Sequence, residues 1–244
     1  MRNIKLTIEY DGTAYHGWQS QINAIAVQDI VTCAVSSLTG ENCSLTGSSR
    51  TDTGVHALGQ VCNFFTESAI PADKFAFALN TKLPKDVVVR KSEEVTTDFH
   101  SRFSTIGKKY RYLFFNSTFP SALLRHRAYH VFYPLDVDAM NQAAGYFTGT
   151  HDFIAFSSTG GSVKTTVRTI TQATVEINGE LIEFTVTGNG FLYNMVRIIA
   201  GTLVEVGYGK IKPEAIPEII AELDRKQAGR TAPAHGLYLV EVYY

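Results

Sequence analysis

The sequence lacks the marks of a membrane span, a disulfide scaffold or a chain with a strong overall field. Its longest apolar stretch, around Met195 to Val206, is interrupted by Arg197 and Glu205 and falls short of the roughly 20 residues that cross a bilayer. There are three cysteines, Cys33, Cys43 and Cys62, an odd number without metal-ligand spacing. That argues against a disulfide framework and reads as buried thiols in a reducing compartment. With 22 Lys and Arg against 23 Asp and Glu, the formal net charge is −1, so any polyanionic partner has to be held by a local patch. Phosphate-cradling Gly-Lys-Ser runs, dinucleotide glycine fingerprints and His-Glu-x-x-His helices are all missing. The seven histidines do not cluster at ligand spacing, and Asp52 with His56 makes only half a metal site. A mechanism without metal or cofactor is expected. Met1 to Lys5 lead straight into an alternating pattern with no signal-peptide core, so a cytoplasmic protein is expected.

What is present is a globular chain of 244 residues, 45% apolar, long enough for one large domain or two small ones, each with a real core. Ile4, Leu6, Ile8 and Tyr10 alternate with polar residues as a half-buried strand does. Val27, Ile30, Val31, Ala34, Val35 and Leu38 recur at helical spacing ahead of Gly40, a C-cap. A short run near Cys43 to Thr46, a strand from Ala57 to Phe65, a helix opened by Pro71, and a strand at Val87 to Val89 complete a β-α-β-β-α-β order. The second half repeats it. A strand from Lys109 to Phe115 leads to a helix from about Val137 to Phe147. A hairpin turning at Asn178-Gly179 follows, then helices from about Phe191 to Val206 and Pro213 to Leu223, and a final strand from Leu237. The expectation is an α+β fold of two ferredoxin-like or RRM-like halves, 1–100 and 101–244, with mostly antiparallel sheet and helices on one face. A linker is expected between Glu94 and Lys108.

The densest chemistry lies between Gly47 and Gln60, where Gly-Ser-Ser-Arg-Thr-Asp-Thr-Gly-Val-His-Ala-Leu-Gly-Gln surrounds Asp52 with Arg50, His56 and hydroxyls in a glycine-bounded loop. A surface turn in which Asp52 bonds its own backbone is the plain alternative. Lys108-Lys109-Tyr110-Arg111-Tyr112 places Tyr110 and Tyr112 on one strand face and Lys109 and Arg111 on the other, the residue types that stack bases and hold phosphates. An ordinary core face with a solvated basic face fits the same pattern. Arg125 and Arg127, and Lys164 to Arg168, add local positive charge in loop-like segments. Arg197, inside an apolar helix, needs an anionic partner, since an unpaired buried guanidinium is costly. Asp52 is one choice, and Glu205 or Glu222 are others.

Four blocks taken together resemble the tRNA pseudouridine synthase A family: Tyr10-Asp-Gly-Thr-Ala-Tyr-His-Gly-Trp-Gln, the Asp52 loop, Lys109-Tyr-Arg-Tyr, and Asn189-Gly-Phe-Leu-Tyr-Asn-Met-Val-Arg. Ala232-Pro-Ala-His-Gly-Leu-Tyr-Leu-Val fits as well. The resemblance implies a cofactor-free homodimer that turns uridine into pseudouridine at positions 38, 39 and 40 of the tRNA anticodon arm. It implies Asp52 as nucleophile and Tyr110 as the residue stacked on the uracil. Arg197 would pair with the aspartate, Leu237 would pack on the base, and Arg50 would help to evict it, in a basic cleft between the halves, while the pattern itself offers Lys109, Arg111, Arg125, Arg127, Lys164 and Arg168 as RNA-binding cations. The rivals are a non-catalytic RNA-binding module with Tyr110 and Tyr112 as its platform, and a glycosidase, which usually needs a second acid.

Overall fold

The computed structural model describes residues 1–161 and 163–244. Two compact units emerge, Met1–Ile106 together with Leu239–Tyr244, and Gly107–Tyr238. The division thus differs from a cut at 100/101, both in its boundary and in grouping residues 239–244 with the first unit.

In the first unit the order is β1 (Arg2–Tyr10), α1 (Val27–Thr39), β2 (Thr46–Gly47), β3 (His56–Thr66), α2 (Phe75–Asn80) and β4 (Val87–Val95). β1 lies between β3 and β4, antiparallel to both, with Ile4 opposite Phe64 and Leu6 opposite Cys62. The strand formed by residues 239–244 lies beside β3. Ile4, Leu6 and Ile8 are fully buried, as their alternation requires, each removing roughly 2 kcal/mol worth of apolar surface from water. α1 turns Val27, Val31, Ala34 and Val35 inward and stops at Gly40, whose φ of 75° only glycine adopts freely. Cys33 falls on the outer face of that helix and is exposed, whereas Cys43 and Cys62 are buried, so the expectation of three buried thiols fails for Cys33. Phe75 of α2 meets Phe64 of β3 edge to face at 5.7 Å.

The expected linker is not loose. The Asn3 amide donates to the carbonyls of Thr96 and Phe99, and Asn63 Oδ1 accepts from the backbone N–H of Ser101, which is fully buried. Residues 96–106 therefore belong to the first unit. Polar composition suggested a linker because the bonds that fix it are made by two strand asparagines.

The second unit contains β5 (Gly107–Asn116), β6 (Tyr129–Val131), α3 (Val137–Gly145), β7 (Gly149–Asp152), β8 (Val167–Asn178), β9 (Leu181–Gly188), α4 (Met195–Gly207), α5 (Ile216–Glu222) and the start of β10 (Leu237–Tyr243). β9 pairs antiparallel with β5 and β8, and β8 with β7, while β6 runs parallel to β5. The hairpin between β8 and β9 turns at Gly179, φ 62°. β6 and β7 are additions to the repeated order. α4 begins at Met195, later than its apolar pattern suggests, because Asn194 takes a left-handed φ of 61° that a continuous helix excludes. Every residue of α4 is buried except Arg197 and Glu205.

Candidate functional site

Asp52 lies half-buried between β2 and β3, and the segment from Tyr10 to Gln19 is the cradle of its loop. Trp18 N–H donates to the Thr51 carbonyl at 3.3 Å, and Gly54 N–H to the Tyr15 carbonyl at 3.2 Å. Inside the loop, Val55 N–H closes a turn onto the Asp52 carbonyl at 3.1 Å. The Tyr10 hydroxyl and Thr51 Oγ1 are 2.7 Å apart in a buried bond. Two glycines make this approach possible. A Cβ on Gly12 would overlap the Val55 carbonyl oxygen, and one on Gly17, which also holds φ 83°, would overlap that of Thr51. On the opposite side the fully buried Gln60 accepts from Ser48 Oγ at 2.8 Å and donates from Nε2 to the Ser49 carbonyl at 2.7 Å.

His56 is 3% exposed, and its Nδ1 accepts from Gly12 N–H at 3.0 Å. Asp11 Oδ1 lies 3.2 Å from the same nitrogen. Trp18 is buried against Tyr10 with ring centroids 6.2 Å apart, and a Cβ on Gly47 would overlap its indole nitrogen. Arg50 projects into solvent. Gln60 and Trp18 went unread in the sequence because one is hidden in a strand-like run and the other acts across more than 25 positions.

In the second unit the candidate residues gather around the N-terminus of α4. Tyr110 on β5 is 8% exposed and meets Phe191 edge to face at 5.1 Å. Tyr112, two residues on, is fully buried, and its hydroxyl donates to the Pro233 carbonyl at 2.7 Å. Burial pushes the Tyr112 phenol well up, with the Arg197 charge pulling the other way. A side chain so enclosed offers no face to a base, which removes the two-tyrosine platform on which the RNA-binding module depended. Arg197 donates from Nε to the Ala232 carbonyl and from Nη1 to Asn194 Oδ1, both at 2.8 Å, and its own carbonyl accepts from Ala232 N–H at 3.0 Å. The alternative partner Glu205 is instead engaged by Lys210 and Arg230. Gly201 lets residues 228–232 lie on α4, since a Cβ there would overlap the Arg230 carbonyl oxygen, and Gly229 N–H donates to Thr202 Oγ1 at 2.9 Å. Gly236 rests on the Tyr112 ring and delivers the buried Leu237 to the start of β10.

The cations differ in their freedom. Arg125, Arg127 and Lys164 are exposed. Lys109 is half-buried, and Arg111 faces Glu183 at 3.8 Å and stands over the Tyr238 ring at 5.5 Å. Arg168, half-buried beside Gly190, donates to the Thr165 and Val167 carbonyls. Among the described residues no three His, Cys, Asp or Glu side chains converge as a metal site, and no helix is long and apolar enough to cross a membrane.

The sequence profile described as tRNA pseudouridine synthase matches residues 6–104 and 143–244. Among curated proteins, tRNA pseudouridine synthase A of Acetivibrio thermocellus is 62% identical, covering 100% of both chains. Its namesake in Ruminiclostridium cellulolyticum is 58% identical and that of Thermoanaerobacter sp. strain X514 49%, again over 100% of both chains. Among solved structures, a chain of a Cbf5-Nop10-Gar1 complex is similar at a TM-score of 0.37 and 13% identity, over 82% of this chain and 45% of that one, a likeness too weak to bear on function.

Proposed function

Because the chain belongs to the tRNA pseudouridine synthase family, we propose that it isomerises uridine to pseudouridine at positions 38, 39 and 40 of the tRNA anticodon arm, with Asp52 as nucleophile. The observation that carries the reading is the Arg-Thr-Asp-Thr-Gly-Val-His loop, held in one shape by the Tyr10–Gln19 segment and placed in a chain that matches the family from end to end. The reaction breaks the N1–C1′ bond and forms a C5–C1′ bond while the C5 proton is lost and N1 gains one. Atoms and electrons balance without cofactor or oxidant. Asp52 adds to C1′ or to the uracil ring, or assists elimination, and each route needs an ionised carboxylate.

Tyr110, Arg197 and Leu237 serve the same uridine: Tyr110 stacks on the base and takes the C5 proton, Arg197 pairs with the carboxylate, and Leu237 packs on the ring. A uridine in a stem must leave its stack first, at a cost of a few kcal/mol, and Arg50 occupies the space it vacates. Exposed Arg125, Arg127 and Lys164, with Lys109, Arg111 and Arg168, meet the phosphates. The working form is a homodimer in the cytoplasm, where tRNA is processed, and sedimentation equilibrium tests the dimer. Tritium release from tRNA carrying [5-3H]uridine, with carbodiimide mapping of the product, tests the reaction. Stoichiometric release with stops at 38 to 40 is expected. Tight tRNA binding without release, or free uracil as product, would overturn it.

A further inference from the structure

The second unit also holds a cavity of about 500 Å3 that the proposed reaction leaves unused. It lies at the C-terminal half of α4 and the segment after β6, and its lining includes Tyr129, Tyr133, Tyr208, Glu205, Lys210 and Arg230. Three kinds of group meet there. Tyr133 is 64% exposed, touches Tyr208 edge to face at 6.1 Å, and is flanked by Phe132, itself 53% exposed, at 5.0 Å. Aromatic faces of this size left to solvent beside a cavity are surfaces for stacking rather than core. Glu205 is the second charged residue of α4 and only 15% exposed. Its Oε2 lies 2.9 Å from Lys210 Nζ and its Oε1 3.7 Å from Arg230 Nε, and both cations reach well into solvent. Lys210 also stands over the Tyr208 ring at 5.3 Å.

We propose that this cavity binds an unpaired guanine base, stacked on Tyr133 with its N1–H and N2–H donated to the Glu205 carboxylate. Guanine alone among the four RNA bases presents two adjacent donors on its pairing edge, with the acceptor O6 next to them. A carboxylate beside an ammonium is the complement of that edge. Adenine and cytosine would turn a ring-nitrogen lone pair towards the carboxylate, and uracil would turn carbonyl oxygens. The negative charge of Glu205, which alone would repel a phosphate-bearing ligand, is outweighed by Lys210 and Arg230, and the exposed guanidinium of Arg230 can also reach a phosphate at the rim. A cluster kept for its ion pairs would account for the three charges but not for the bare aromatic faces.

The base comes from an unpaired guanosine of the RNA substrate or from a free guanine nucleotide, and the first source rests on the function proposed above. Calorimetry of the full chain with GMP, AMP, CMP and UMP tests the base, and steady-state kinetics on tRNA test the source, each with the wild type, Glu205→Gln and Tyr133→Ala. GMP should bind about tenfold or more tighter than AMP to the wild type, a preference that Glu205→Gln abolishes, while Tyr133→Ala weakens GMP by a similar factor. If the guanosine is in the RNA, KM for tRNA rises in both variants at unchanged kcat. If the source is free nucleotide, tRNA kinetics stay at the wild-type values while the GMP preference disappears. Equal affinity for all four nucleotides, or a preference that survives in Glu205→Gln, overturns the assignment. A wild type that prefers GMP yet makes no pseudouridine ends the proposed function and leaves the cavity's assignment intact.

Discussion

The loop around Asp52 and the segment around Arg197 are both seated on glycines, but they are held by different groups. In the first unit the anchoring bonds come from main-chain groups and from Tyr10, Ser48, Thr51 and Gln60. In the second the guanidinium of Arg197 is itself an anchor, tying Ala232 and Asn194. The second unit thus uses as an anchor a residue that is also proposed to serve the uridine. Substitution at Arg197 should therefore report on reactivity and folding together.

The sharpest test is Asp52→Asn. Pseudouridine formation should fall by roughly 10³-fold or more, measured by tritium release. Wild-type turnover by that variant removes Asp52 from the reaction. Arg197→Met should lower turnover by about 10²-fold and also melt early, because two part-buried acceptors lose their donor at about 1 kcal/mol each, or roughly 2–4 °C per kcal/mol for a chain of this size. A variant as stable as the wild type would break the contrast drawn above. Gly17→Ala in one unit and Gly201→Ala in the other should each cost about 1–3 kcal/mol by overpacking against carbonyl oxygens, read by urea titration. Gly40→Ala, with open space around its Cβ, should lose only about 1 kcal/mol from the left-handed backbone. The smallest effect belongs to the surface: Arg125→Ala should lower the slope of log K for tRNA against log salt by about 1 and leave kcat alone. An unchanged slope takes Arg125 out of the phosphate contacts.

Sequence periodicity revealed every strand and helix long enough to show alternation or a helical stripe, from Ile4–Tyr10 to the hairpin at Gly179. β6 and β7, of three and four residues, are too short to carry a period. The start of α4 was misplaced because apolar spacing says nothing of one residue's φ at Asn194, and the exposure of Cys33 follows from its helix face, not its neighbours in sequence. At the candidate site, Asp52 and its glycine-bounded loop were legible as composition. The purpose of Gly12, Gly17 and Gln60 was not, since each acts through a contact 11 or more positions away. Tyr112 shows the reverse error: alternation put it beside Tyr110, but only packing against Pro233 and Gly236 shows that its ring is enclosed.

Residues 239–244 lie beside β3 although the whole second unit is synthesised before them. During translation the stretch of β3 that β2 does not cover therefore stays open on that flank until residues 239–244 have been made, and its main-chain N–H and C=O groups stand open to a neighbouring nascent chain. Ribosome stalling or proteolytic clipping near Tyr238 should yield a product that clumps strand to strand.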